Sequence, residues 1–239
     1  DVCLWRRPHL GLVGGEVVNG RAILFPGQGA QHVGMAAAIV TGVTAAHETM
    51  LRANEVLGFD LLDLCLNGPA ERLEATDVCQ PAIFAISAAV VEALRAAGHA
   101  ESFVATAGLS LGEYTALWFA GSLTFDDGLR LVRRRGIAMQ EASDATPSGM
   151  LSLVGALPDQ AEQLAAAAAG DDVLVAANYL GPGQVVLSGA LTAIDRAEQL
   201  AREHGIRRTV RLKVAGAFHS PLMASATTAL AEALQDVAI

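Results

Sequence analysis

The sequence predicts an α/β protein in which a small βαββαβ lobe interrupts a larger α/β lobe, and three observations lead there. Short apolar runs at Arg21–Phe25 and Ser102–Leu109 each lead through a loop into a helical stretch. From Met150 to Val214 the pattern becomes strand, alanine-rich helix, two strands, helix and strand. The residues from Gly216 onward must then complete something begun earlier, which makes the βαββαβ unit an insertion. The large lobe is expected over residues 21–147 and 215–239, and the small lobe over 148–214.

Taken in order, Arg21–Phe25 (RAILF) reads as a buried first strand ended by Pro26 and Gly27. The loop Pro26-Gly27-Gln28-Gly29-Ala30-Gln31 follows, and Leu51–Leu66 reads as a helix pair broken near Gly58. Pro81 is expected at a first helical position, opening a helix that runs to about Ala97 and stops at Gly98. Ser102–Leu109 is a second buried strand, with a helix over Leu111–Phe119 directly after Ser110. Thr124 or Asp126 caps the next helix, to about Ala142, and Asp144–Gly149 is a loop at the lobe boundary. In the small lobe, Met150–Gly155, a helix from Pro158, Val173–Asn178, Gln184–Ser188, the helix Leu191–His204 and Arg207–Val214 follow the ferredoxin-like order.

Composition excludes several classes. The net charge of −9 argues against a general nucleic-acid binder, which needs a basic surface. The three cysteines, Cys3, Cys65 and Cys79, form no CxxC pair and read as reduced thiols of a cytosolic or organellar protein, not as a disulfide or zinc framework. The apolar run Pro81–Leu94 is interrupted by Ser87 and Glu92, which argues against a membrane span. No metal ligand set and no dinucleotide fingerprint is visible. Residues 1–20 show no period and read as a leader or tag remnant.

The chemistry centres on Gly108-Leu109-Ser110-Leu111-Gly112, a Gly-x-Ser-x-Gly between a strand and a helix. Glycines permit a sharp turn that lifts the hydroxyl above the sheet edge, where the helix N-terminus favours developing negative charge. A serine that only caps a helix is the alternative. Ser110 needs a base, and His219, between a strand end and Ser220-Pro221, is the best placed; alone it could equally be a capping or core histidine. Gly128, Val132, Arg135 and Met139 share one helix face, so Arg135 points inward. Either an internal salt bridge, to Glu113 for instance, or a clamp on a substrate carboxylate would explain a buried arginine.

Four segments together resemble the malonyl-CoA:acyl carrier protein transacylases and the wider acyltransferase domains of fatty-acid and polyketide synthesis. They are Phe25–Gln31, Gly108–Tyr114, Arg135-Gly136-x-x-Met139-Gln140 and Gly216–Ser220, and the resemblance covers about residues 21–239. It implies an α/β-hydrolase-like large lobe with a ferredoxin-like insertion. It implies Ser110 as the acylated nucleophile, His219 as its base and Arg135 as the binder of the malonyl carboxylate. The backbone amides of Gln28 and Leu111 would form the oxyanion hole, Asn178 would line the cleft, and Phe218 would accompany malonyl selectivity. Malonyl-CoA and acyl carrier protein would be the substrates, with coenzyme A leaving as product and no resident cofactor. The protein would work in the cytoplasm, or in a plastid or mitochondrion of a eukaryote, away from membrane and nucleic acid, and as a monomer when complete.

The chain departs from the pattern at Leu109, where many members carry histidine, and members extend past Ile239 into a segment whose main-chain carbonyl orients the base. A chain ending at Ile239 is therefore expected to be weakly active or inactive. Because acyl carrier proteins are acidic, Arg207, Arg208, Arg211, Lys213, Arg133 and Arg134 are candidates for a docking patch. Two other readings remain. An esterase or thioesterase would share Ser110 and His219 and draw an acid such as Asp195 from between them. A silent scaffold would contact carrier protein without chemistry.

Overall fold

The computed structural model describes residues 21–99 and 103–238, so the expected leader at 1–20, with Cys3, lies outside the described residues. Strand β1 (Arg21–Phe25) pairs in parallel with β2 (Phe103–Gly108), and the two form one sheet. Between them run α1 (Ala37–Gly42), α2 (Thr44–Leu57), α3 (Leu61–Asn67), α4 (Ala70–Glu74) and α5 (Thr76–Ala96). After β2 come α6 (Gly112–Phe119) and α7 (Phe125–Ala145). A second sheet follows, of β3 (Ser148–Val154), β4 (Leu174–Gly181), β5 (Gln184–Ala190) and β6 (Arg208–Arg211), with α8 (Pro158–Ala169) and α9 (Leu191–Leu200). A 3-10 turn at Pro221–Met223 leads into α10 (Ala224–Leu234).

The second sheet is antiparallel throughout, in the order β4-β5-β3-β6, with one helix after β3 and one after β5. The expected strand order is therefore present over these residues. Its two faces differ. Leu151, Leu153, Val185 and Leu187 pack with Leu164 of α8 and Ile194 of α9. The opposite face presents Met150 and Val186, which pack with Ala138, Met139 and Ala142 of α7 and with Phe218, Met223 and Ala226. Period-2 alternation assigns these faces directly.

The larger core surrounds α5. Phe84 is fully buried and meets Phe125 at 5.7 Å and Trp118 at 6.3 Å between ring centroids. By length and composition α5 is apolar enough to cross a membrane, but most of it is buried inside the protein against α2, α6 and α7. It also departs from expectation at its start. The helix begins at Thr76, and Pro81 lies inside it. A proline there forfeits one ladder bond, and burial of the flanking turn, Val78 to Pro81, outweighs that local preference.

Other boundaries move, and one burial expectation fails. α7 runs to Ala145, so the expected loop at Asp144–Gly149 shrinks to Thr146-Pro147. Its start is as read, with the Thr124 hydroxyl accepting from the Asp127 N–H at 3.1 Å. α9 ends at Leu200, and turns carry the chain to Gly205. β6 is shorter than Arg207–Val214. β2 is not buried on both faces as expected: Val104 is 61% exposed and Leu24 of β1 is 73% exposed. A run of apolar residues fixes a strand but cannot say which of its faces is covered.

Phe84→Ala is expected to lower unfolding stability by about 3–5 kcal/mol, because the aromatic cluster around it cannot collapse into the space left. Urea denaturation of variant and parent chain measures this.

Candidate active site

Ser110 follows β2 immediately and precedes α6, at the turn the sequence indicates. Its φ of 52° is left-handed, an unfavourable region for a residue with a side chain. The turn is possible because two neighbouring positions lack a Cβ. One placed on Gly108 would overlap the backbone of Gly112, and one on Gly112 would overlap the carbonyl of Phe25. The elbow is thus wedged between its own helix and the end of β1, where Leu109 N–H also donates to Phe25 O at 3.2 Å.

His219 reaches the same point from the far end of the chain. Its Nε2 lies 2.9 Å from Ser110 Oγ across 109 residues of sequence. Arg135 of α7 completes the group, donating from Nη2 to Ser110 Oγ at 2.9 Å and from Nη1 to Gln80 Oε1 at 2.8 Å. Its guanidinium also stands 5.8 Å from the ring centroid of Tyr114. Among the described residues no carboxylate pairs with Arg135, so the internal salt bridge to Glu113 is not formed; Glu113 itself is exposed. Burial pushes the Arg135 pKa down, against partial compensation from Tyr114 and Glu113, and the group still remains a cation.

Gln80 belongs to this site and the sequence reading missed it. It is completely buried on α5, accepts from Arg135, and donates to Met139 Sδ at 3.4 Å. The available signal was a polar residue in the apolar stretch Val78–Ile86. Gln28 is half-buried in the loop after β1, with Oε1 at 3.5 Å from Gln80 Nε2, too long for more than a weak bond. Leu111 is fully buried at the start of α6. Phe218 packs in the apolar cluster with Met139, Met150 and Val186. Asn178 sits half-buried on β4 opposite Val186, and no hydrogen bond of its side chain joins it to Ser110, His219 or Arg135.

His219 keeps an exposed edge, yet packing around the rest of its ring and the positive charge of Arg135 lower its pKa from the ordinary 6.5. The imidazole is therefore neutral at pH 7, able to accept the Ser110 proton, while Arg135 donates to the same oxygen. Among the described residues no group of three His, Cys, Asp or Glu could hold a metal ion. Cys65 and Cys79 are buried thiols pushed up to about 12, too high to act as nucleophiles.

The profile of the acyl transferase domain matches residues 23–239. The chain belongs to the acyl transferase domain family. It is 41% identical over 227 residues to the mitochondrial malonyl-CoA-acyl carrier protein transacylase of Mus musculus, covering 91% of this chain and 59% of that one. It is 40% identical to the malonyl CoA-acyl carrier protein transacylase of Bacillus subtilis, over 89% of this chain and 67% of the relative. The solved transacylase of Coxiella burnetii superposes with a TM-score of 0.88 at 36% identity, covering 91% of this chain and 69% of that one. A malonyl-transacylase solved with a type II polyketide synthase acyl-carrier protein gives a TM-score of 0.87 at 35% identity, covering 91% and 70%. This chain thus spans about three fifths of the length of the mouse relative.

The sign of the His219 shift yields a prediction. The neutral ring is lost as pH falls through its lowered pKa, so Ser110 reactivity should hold to below the ordinary histidine value of about 6.5. Arg135→Gln removes the neighbouring positive charge and should move the acid limb upward. The rate of Ser110 labelling by a small fluorophosphonate as a function of pH measures both.

Proposed function

We propose that the whole protein transfers a malonyl group from malonyl-CoA to the phosphopantetheine thiol of acyl carrier protein through a malonyl-Ser110 intermediate. One observation carries this reading: Ser110 Oγ stands 2.9 Å from both a neutral histidine and an arginine that has no carboxylate partner among the described residues. The architecture fits an α/β-hydrolase-like lobe over 21–147 and 215–239 with a ferredoxin-like lobe inserted over 148–214. The relatives support the substrates, since the transacylases they are named for act between malonyl-CoA and acyl carrier protein.

In the first half-reaction His219 Nε2 takes the Ser110 proton as Oγ attacks the thioester carbonyl. The backbone amides of Gln28 and Leu111 face the developing oxyanion, at the helix N-terminus that favours it. Collapse expels coenzyme A as its thiolate, which takes the proton from His219. In the second half the carrier's thiol gives its proton to His219 and attacks the acyl-serine, and Ser110 leaves with that proton.

Arg135 holds the free carboxylate of the acyl group, with Gln80 fixing one edge of the guanidinium so that the other faces the substrate. Phe218 closes the acyl pocket against bulkier groups, and Asn178 lines the cleft. No resident cofactor takes part. The protein is assigned to the cytoplasm, or to a plastid or mitochondrion of a eukaryote, which the mitochondrial names of the mouse and human relatives support for the eukaryotic case, and the complete protein is read as monomeric.

An esterase reading needs an acid for His219, and Asp195 is not available: it is bonded to Arg211 on the small sheet. The docking surface also narrows. Arg211 is engaged by Asp195 and Glu198, while Arg133 donates to Leu57 O and lies 5.1 Å from the Phe59 ring centroid. Arg207, Arg208, Lys213 and Arg134 are exposed and without carboxylate partners among the described residues, so they are the better carrier-protein contacts.

Arg135→Ala in the full-length protein should lose the preference for malonyl over neutral acyl groups by about 2 kcal/mol or more, the scale of a charge-assisted hydrogen-bonded pair. An acyl-CoA panel read by intact mass on Ser110 tests this, and absence of any malonyl adduct on the parent protein would reject the transferase. Charge reversal at Arg207 and Arg208 should raise KM for carrier protein severalfold while transfer from malonyl-CoA to Ser110 is unchanged; equal effects on both steps would reject that surface.

A further inference from the structure

The loop that carries His219 is hydrogen-bonded by two buried serines of the second sheet that have no place in the reaction itself, and a third buried serine packs beside it. Ser188 of β5 is fully buried and donates from Oγ to the Phe218 carbonyl at 2.6 Å. Ser148 of β3 accepts from the Ala217 N–H at 3.1 Å. Ser143 of α7 packs against Gly216 so closely that a Cβ on that glycine would overlap its hydroxyl, which bonds back to Met139 O at 2.7 Å. Ser148 and Ser188 lie on the same face of the sheet, since Met150 stands opposite Ser188 and Ser148 is two residues before Met150. On that face they sit among Met150, Val186 and Phe218, an apolar setting in which an unpaired hydroxyl or carbonyl is costly.

The need for such a grip is visible in the backbone. His219 has φ 60°, a left-handed conformation that a residue with a side chain adopts only when its surroundings impose it. Its ring has one side-chain hydrogen-bond partner among the described residues, Ser110. The backbone of the two preceding residues sets where the ring starts, and the second sheet grips it at the Phe218 carbonyl and the Ala217 N–H, beside two bonds within the loop, from Ser220 Oγ to Ala217 O at 2.7 Å and from Phe218 N–H to Gly216 O at 3.0 Å. We propose that Ser188, assisted by Ser148, is a positioning residue that locks the His219 loop in its left-handed turn and so aligns the base with Ser110. The inference rests on the acyl-serine reading. It adds that the second sheet orients the base directly, besides carrying substrate-facing residues.

Ser188→Ala in the full-length protein tests it, with the rate of Ser110 labelling by a small fluorophosphonate as readout and Ser143→Ala as control. The control removes a hydroxyl of similar burial whose bond stays within its own helix. Misplacing a catalytic group by an ångström costs on the order of 100-fold in rate, so Ser188→Ala should slow labelling about 10- to 100-fold. The slowing should persist at pH values well above the His219 pKa and in protein with parental circular dichroism. Ser143→Ala should stay within about twofold of the parent on the same scale. In malonyl transfer, kcat should fall with KM for malonyl-CoA unchanged. If Ser188→Ala does not fold, Ser148→Ala carries the same expectation. Equal labelling rates for parent and either variant would overturn the clamp alone. No labelling of the parent at Ser110 would overturn the acyl-serine reading and the clamp with it.

Discussion

The contact on which the site depends is the 2.9 Å approach of His219 Nε2 to Ser110 Oγ. It joins two residues that start from different sheets, and both stand in left-handed backbone, at φ 52° and 60°. Each such residue costs on the order of 1–3 kcal/mol unless its surroundings impose it. The chain meets the two costs differently. Around Ser110 the constraint is steric and local: Gly108 and Gly112 let β1, β2 and α6 approach within backbone contact. Around His219 it is polar and long-range, through bonds from β3 and β5 to Ala217 and Phe218. The two halves of the site are therefore registered against each other by the packing of α7 and α10 on the inner face of the second sheet.

Arg135 adds a buried positive charge to that geometry. The Arg135 guanidinium, beside the Tyr114 ring, is desolvated, and its hydrogen-bond partners among the described residues are the neutral Gln80 amide and the Ser110 hydroxyl. Such a cation lowers the free energy of any anion brought beside it more than an exposed arginine could, since water no longer screens the pair. The same charge helps keep His219 unprotonated. One residue thus places a desolvated positive charge beside Ser110 and holds the neighbouring imidazole in the state that accepts a proton.

Much of this is written in local sequence. Strand, glycine, serine, glycine and helix form a contiguous signal, and the period of α7 places Arg135 on an inward face before any contact is known. The βαββαβ order is equally local, because alternating apolar residues and the breaks at Gly155, Gly170 and Gly205 punctuate it. What the sequence concealed depends on tertiary neighbours. Pro81 looks like a helix start because local preference says so, and only burial of the preceding turn shows otherwise. In Ser148–Val154 the alternation of serine with leucine suggests a water-facing side. Yet Ser148 and Ser152 are 8% and 4% exposed, because α7 and the His219 loop cover that face. The inward leucines were readable; the serines that hold the base were not. Arg211 and Arg133 likewise looked like free surface charge, and their carboxylate, carbonyl and aromatic partners come from other elements.

The arrangement also differs from that of a triad hydrolase. A triad hydrolase stabilises the imidazolium with a buried acid at its other nitrogen. Among the described residues the charge that acts on His219 is the cation of Arg135, which disfavours the imidazolium, and Asp195 is bonded to Arg211. The ring is thus held neutral between proton transfers and is not stabilised as its cation. In the proposed transfer, the cation that would hold the acyl carboxylate is therefore also the one that keeps the base neutral.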